Sequence, residues 1–128
     1  MNENDEKLNI LVIEDDPEVL SMIVRHLRHK GFGVITARDG LEGLRRLDSG
    51  GYDLVITDIV IPYVSGVGVV TALKKKRPEI PVIAITGYGK EPEAAAMERE
   101  ADLVLSKPVR MIHLMEHIEQ LLSSGGNH

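Results

Sequence analysis

Acidic, hydroxyl and amino side chains stand at the ends of several short apolar runs in this sequence of 128 residues. They are Glu14-Asp15-Asp16, Thr57-Asp58, Thr86 and Ser106-Lys107. If the runs are parallel strands of one open sheet, their carboxyl ends lie at the edge where active sites of such sheets are found. The spacing therefore predicts that three of these carboxylates, those of Glu14, Asp15 and Asp58, converge on one edge with the Thr86 hydroxyl and the Lys107 ammonium group.

The three carboxylates of Glu14, Asp15 and Asp58 would repel one another unless a cation compensates their charge. Oxygen ligands without cysteine indicate a hard cation, and few carboxylates with room for water and phosphate suit Mg²⁺ better than Ca²⁺. Lys107 would offer a positive charge, and Thr86 a hydroxyl donor, to an anionic group opposite the metal. These are the parts that phosphoryl transfer to a nucleophilic Asp58 requires.

The elements that position these residues are short apolar runs alternating with amphipathic stretches, a pattern typical of a parallel sheet with crossover helices. The predicted strands are Leu8 to Ile13, Gly33 to Ala37, Leu54 to Thr57, Val82 to Thr86 and Leu103 to Leu105. Most are nearly continuous in Val, Ile and Leu, as expected when both faces of a sheet are covered. Because crossover connections are right-handed, we expect a doubly wound α/β domain with helices on both faces.

Five helices follow the strands in turn. The first begins at Pro17 after a capping Asp16 and ends before Gly31. The other predicted helices lie around Leu41, Leu44 and Leu47, from about Gly66 to Lys75, from near Pro92 through Ala94 to Met97, and from about Arg110 to Leu122. One βα domain over residues 8–122 accounts for the chain, with an extended or disordered segment 1–7 and a flexible tail 123–128.

Composition narrows the class of protein. The net charge of −5 disfavours direct nucleic-acid binding, which needs a supply of Lys and Arg for phosphate contacts. Cysteine is absent, which excludes disulfide frameworks and cysteine nucleophiles and is typical of a reducing compartment. The first residues do not resemble a signal peptide, and no apolar run approaches a membrane span. We therefore expect a cytoplasmic protein.

Four motifs in order resemble the receiver domains of two-component response regulators, over about Leu8 to Leu122. The motifs are Glu14-Asp15, Asp58-Ile59-Val60-Ile61-Pro62 followed by Gly66, Pro81-Val82-Ile83-Ala84-Ile85-Thr86, and Lys107-Pro108. Any one of them is a weak signal, but all four at strand ends are specific. The resemblance implies a flavodoxin-like (βα)5 fold with strand order 2-1-3-4-5.

Residue roles follow from the same resemblance. It implies that Asp58 accepts a phosphoryl group from a histidine kinase or phosphotransfer protein, and that Thr86 and Lys107 bind the phosphoryl oxygens. Mg²⁺ would be held by Asp15, Asp58 and the Val60 carbonyl, with Glu14 acting through water. The domain would catalyse only its own phosphorylation and dephosphorylation.

The resemblance also implies how the signal leaves the domain. Phosphorylation would change a docking face formed by the fourth helix, fifth strand and fifth helix, in a monomer or a phosphorylation-dependent dimer. The Lys107-Pro108 pair resembles one that is often joined by a cis peptide.

Two departures from the family pattern bear on switching and on dephosphorylation. Val104 stands where the family usually has a Tyr or Phe three residues before the lysine, so the aromatic relay is missing and output must depend on backbone movement after Thr86. Val60 and Tyr88 occupy positions that flank the acyl phosphate in this family. Val60 cannot position a water through its side chain and Tyr88 is bulky, so we expect slow intrinsic dephosphorylation.

Other interpretations compete with a signalling switch. The two alternatives are a phosphorylation-independent interaction module and a haloacid-dehalogenase-type phosphatase. The phosphatase motif needs a second Asp two residues after the nucleophile, and this chain has Val60 there. The histidine pairs His26/His29 and His113/His117 have metal-ligand spacing but no third ligand nearby. The basic run 74–77 is typical of a solvated helix end. The glycines at 66 and 68 are too few for a dinucleotide fingerprint.

Overall fold

The computed structural model describes residues 7–87 and 94–125 and contains one five-stranded parallel sheet in the order β2-β1-β3-β4-β5. The strands are β1 (Asn9–Ile13), β2 (Gly33–Ala37), β3 (Leu54–Asp58), β4 (Val82–Thr86) and β5 (Leu103–Ser106). The helices are α1 (Pro17–His29), α2 (Gly40–Ser49), α3 (Gly66–Lys76), α4 (Ala94–Glu100) and α5 (Met111–Gly125). The predicted flavodoxin-like topology and strand order are confirmed.

Helices cover both faces of the sheet and divide the core into two clusters. Alternate strand residues such as Leu11 and Val55 face one cluster, which also contains side chains of α2, α3 and α4. Their neighbours Ile10 and Leu54 face the other, which contains side chains of α1 and α5. The central strands β1, β3 and β4 are buried on both faces, which accounts for their runs of Val, Ile and Leu with polar residues only at the strand ends.

Side-chain caps set where the helices begin, and thereby where the loops at the carboxyl edge end. Asp16 accepts from the backbone N–H of Glu18 at 2.9 Å and caps α1, as predicted. Asp39 caps α2 and Ser65 caps α3 in the same way. Gly31 has a φ of 97°, the left-handed conformation that ends a helix most easily at glycine.

Some boundaries differ from those expected. The last helix continues to Gly125, three residues past the predicted end at Leu122, so the start of the expected tail is helical. Leu41 of α2 is 47% exposed, whereas Gly43 of the same helix is buried. The predicted start near Pro92 lies outside the described residues, as do residues 1–6 of the N-terminal segment and 126–128 of the tail. Within residues 7–87 and 94–125, every helix is too short or too polar to cross a bilayer.

Candidate phosphorylation site

The predicted site residues meet at the carboxyl edge of the sheet. Asp58 ends β3, Thr86 ends β4, and Lys107 directly follows β5. The parallel register pairs Asp58 with Ile85 and Thr86 with Ser106, which brings these three strand ends level. Glu14 follows β1, whose last residue pairs with Thr57 next to Asp58. The structure therefore assembles one cluster from residues far apart in the sequence.

Asp58 lies at the centre of the site and both of its carboxylate oxygens have partners. The side chain is 4% exposed. Its Oδ1 accepts from the backbone N–H of Val60 at 3.1 Å, and its Oδ2 accepts from the Lys107 ammonium at 2.7 Å. The hydrogen bond to Asp58 raises the pKa of Lys107, with a further contribution from the negative charges around it. Lys107 therefore stays a full positive charge beside the carboxylate.

Glu14 is the most deeply buried acid of the site. It is 2% exposed, its Oε2 accepts from the backbone N–H of Asp16 at 3.0 Å, and its Oε1 is buried without a hydrogen-bond partner among the described residues. Burial raises the pKa of Glu14 from 4.5 to about 7; the Asp16 hydrogen bond lowers it in part, and the nearby charge of Asp58 raises it further. The Lys107 charge lowers this pKa as well, but it does not offset the effect of burial.

The acidic cluster fits a divalent cation. Glu14, Asp15 and Asp58 each offer a carboxylate oxygen, and these oxygens lie within 4.8 Å of one another. Asp15 is exposed, which leaves one side of the cluster open to water. Oxygen-only ligands with an open side are the donor set that Mg²⁺ prefers, and the buried Oε1 of Glu14 is an acceptor still in need of a donor such as a metal-bound water.

Thr86 and Lys107 are joined through the backbone. The Lys107 N–H donates to the Thr86 carbonyl at 2.8 Å, and Thr86 is buried. The peptide bond between Lys107 and Pro108 is cis, as the resemblance implied. The hydroxyl-bearing residue and the ammonium-bearing residue are thus held side by side at the ends of adjacent strands.

The remaining predicted residues take different positions. Val60 is 60% exposed beside Asp58, and Val104 is half-buried against the cluster that includes Met97 of α4. Asp16 serves as a helix cap and through its N–H as a partner of Glu14. Tyr88 lies outside the described residues.

Gly66 contributes to the site in a way that the sequence did not indicate beyond its place in a motif. A Cβ on Gly66 would lie 2.8 Å from the Cα of Ile59 and closer still to the Asp58 carbonyl oxygen. The Gly66 N–H also donates to the Ile59 carbonyl at 2.9 Å. A glycine therefore lets α3 begin directly against the backbone that carries Asp58.

The competing motifs have structural explanations. Within the described ranges, Glu14, Asp15 and Asp58 are the one group of three potential ligands that lie together, and neither histidine pair joins such a group. In the basic run, Lys74 pairs with Asp102 at 2.9 Å and the Lys76 ammonium pairs with Asp48. The Arg77 guanidinium lies 5.5 Å from the centre of the Tyr52 ring. Most of this run therefore interacts within the domain.

Comparison with known proteins agrees with this geometry. The family model for the response regulator receiver domain matches residues 10–119. The transcriptional regulatory protein PrrA of Mycobacterium bovis is 36% identical over 119 residues, which are 92% of this chain and 51% of that protein. GlrR of Escherichia coli is 35% identical over 115 residues, which are 89% of this chain and 26% of that protein. The chain thus spans about half or less of the length of these relatives.

Solved structures lead to the same family. A CheY-like receiver domain from Methanospirillum hungatei superposes with a TM-score of 0.88 at 28% identity, covering 94% of this chain and 98% of that one. The response regulator TrrA of Thermotoga maritima, in complex with Mg²⁺ and BeF, has a TM-score of 0.82 at 32% identity, covering 89% and 98% of the two chains. The chain belongs to the family of response regulator receiver domains of two-component systems.

Proposed function

We propose that this domain is a Mg²⁺-dependent phosphoacceptor that takes a phosphoryl group onto Asp58 from a histidine kinase or a histidine phosphotransfer protein. The contact that carries the proposal is the 2.7 Å hydrogen bond between the Lys107 ammonium and Asp58, beside two further carboxylates. A purely structural ion pair would not require Glu14 to be buried with an unpartnered oxygen. The Mg²⁺-containing TrrA structure supports the choice of cation by similarity.

The chain's own residues would perform the transfer. A carboxylate oxygen of Asp58 attacks phosphorus, the O–P bond forms as the P–N bond to the donor imidazole breaks, and the imidazole leaves with the electron pair. Lys107 and the Thr86 hydroxyl stabilise the charge on the phosphoryl oxygens. Asp15, Asp58 and the Val60 carbonyl would hold Mg²⁺ directly and Glu14 through water. The bound ion would supply positive charge for the phosphoryl oxygens.

Phosphorylation would act on the partner-binding state by shifting a population. The phosphoryl group favours the conformation in which Thr86 and Lys107 contact it best, and β5 connects these residues to α4 and α5. Because Val104 carries no ring, the change at the α4-β5-α5 face would depend on the backbone that follows Thr86. The relatives are named transcriptional regulatory proteins, and a docking face that signals to an output partner in the cytoplasm, as a monomer or a phosphorylation-dependent dimer, fits that class.

Acetyl phosphate with Mg²⁺, followed by intact mass measurement, tests the phosphoacceptor. We expect the wild-type chain to gain one phosphoryl group and Asp58→Asn to gain none. Asp48→Asn is the matched control, since Asp48 is exposed on α2 and should leave labelling intact. An unlabelled wild-type chain would favour the phosphorylation-independent interaction module, and sustained hydrolysis of a phosphoester would favour a phosphatase.

A further inference from the structure

The start of α2 holds the loop that connects β3 to α3, residues 59–65. The Gly40 N–H donates to the Pro62 carbonyl at 3.0 Å. Gly40 is buried, and a Cβ there would lie 2.6 Å from the carbonyl carbon of Val64 and 2.7 Å from the Val64 Cβ. Since these are atoms of the loop backbone and its first side-chain carbon, a residue larger than glycine would displace the loop or the helix.

The same loop contains a strained turn at its tip. Tyr63 has a φ of 72°, and the Val64 N–H donates to the Pro62 carbonyl at 3.0 Å. This is the geometry of a classic γ-turn, which is rare and strained for an L-residue. Tyr63 is 80% exposed, so its side chain does little to hold the turn. Strained residues persist where the surroundings fix them, and the Pro62 carbonyl that closes this turn also accepts from Gly40.

The other end of the loop belongs to the phosphorylation site. The Val60 N–H donates to Asp58 Oδ1 at 3.1 Å, and the Gly66 N–H donates to the Ile59 carbonyl at 2.9 Å. In the proposed function the Val60 carbonyl is a Mg²⁺ ligand. A loop displaced at Pro62 to Val64 would move that carbonyl relative to Asp58, since few residues separate the two.

We propose that Gly40 is a positioning residue for the phosphorylation site, because its close contact with the strained β3-α3 loop sets the place of the Val60 carbonyl. The inference rests on the proposed function, since it takes Mg²⁺ as the ion bound beside Asp58. It assigns the start of α2 a role in the site although no side chain of α2 reaches the carboxylates.

Calorimetric titration of Mg²⁺ into the purified chain tests this role with a readout independent of phosphorylation. We expect Gly40→Ala to weaken Mg²⁺ binding by about tenfold, the size seen when partners that orient metal ligands are lost. Gly43→Ala is the matched control, because it adds the same methyl group to the same helix. There the nearest atom is the Cδ1 of Ile13 at 2.9 Å, the end of a flexible side chain. We expect Mg²⁺ affinity within about twofold of wild type for this control.

Wild-type affinity in folded Gly40→Ala, or an equal loss in Gly43→Ala, would overturn the inference. If Gly40→Ala does not fold, Asp39→Ala is the variant that tests the inference. The Asp39 side chain caps α2 by accepting from the Glu42 N–H at 2.8 Å, and its removal loosens the start of the helix without adding atoms. We expect it to weaken Mg²⁺ binding by about threefold, and unchanged affinity would refute the role of α2. A wild-type chain that neither binds Mg²⁺ nor becomes labelled would instead refute the proposed function.

Discussion

Glu14→Gln should stabilise the metal-free domain, and the gain should grow with pH. Glu14 is buried with an unpartnered Oε1 beside two other carboxylates, and burial raises its pKa from 4.5 to about 7. Glutamine keeps an acceptor for the Asp16 N–H and places an amide donor where Oε1 stands. The substitution therefore replaces repulsion between acids with a hydrogen-bond donor.

The sign and size of the effect follow from linkage. The folded state holds the Glu14 proton more tightly than the unfolded state, so the stability contributed by this group is complete below about pH 4.5 and is lost as the pH rises to about 7. The rise in pKa corresponds to about 3 kcal/mol in the free energy of unfolding, an upper figure because the site can take up water. We expect Glu14→Gln to exceed wild type by about 1 to 3 kcal/mol near pH 8, and by clearly less near about pH 5.

Urea unfolding followed by circular dichroism is the suitable assay, because the chain has no Trp. Both proteins are compared in EDTA and in saturating Mg²⁺ at the two pH values. Mg²⁺ should stabilise wild type more than Glu14→Gln near about pH 8, since bound cation compensates the carboxylates. Glu116→Gln on an exposed position of α5 is the control and should show no pH-dependent difference. A Glu14→Gln protein less stable than wild type, or a gap that does not change with pH, would refute the reasoning.

Further predictions concern the site and the core. Lys107→Met should slow labelling by acetyl phosphate by about 100-fold, because the phosphoryl oxygens lose their charged donor. Calorimetry should still detect Mg²⁺ binding to this variant, and labelling at the wild-type rate would contradict the role assigned to Lys107. Val60→Asn should shorten the half-life of the phosphorylated domain, measured as decay of the phosphorylated mass after removal of acetyl phosphate, and an equal or longer half-life would show that Val60 does not slow hydrolysis. Leu114→Ala should lower the free energy of unfolding by about 2 to 5 kcal/mol, since Leu114 is fully buried between α5 and the sheet. Ile112→Ala, exposed on the same helix, should change it by less than about 0.5 kcal/mol, and similar losses in both would contradict the packing described for α5.

The strands and the residues at their ends could be predicted from sequence because a parallel sheet imposes a simple rule. Buried strands are continuous apolar runs, and the polar residues that follow their carboxyl ends share one edge of the sheet, so the sequence predicts that Asp58 and Lys107 lie together. The helix cap at Asp16 and the end of the helix at Gly31 depend on local sequence, so they could also be predicted. The strand order that places β4 between β3 and β5 comes from the family resemblance.

Features that depend on tertiary contacts could not be predicted from the sequence. The end of α5 was misplaced because Ser, Ser and Gly after Leu122 are weak helix formers, yet the helix continues through them. Leu41 fits an apolar spacing with Leu44 and Leu47 of the same helix, yet about half of it is exposed. The unpartnered oxygen of Glu14 and the turn at Tyr63 arise from how distant segments pack, and no local pattern signals either.

The residues of the site come from both halves of the chain. Lys107 is delivered by β5, an edge strand that pairs with β4 alone, whereas Glu14 is delivered by β1 near the start of the chain. A polypeptide that ends shortly after Asp58 has this carboxylate but lacks the Lys107 ammonium that contacts it. The contact between Asp58 and Lys107 therefore forms only in a chain that extends past β5.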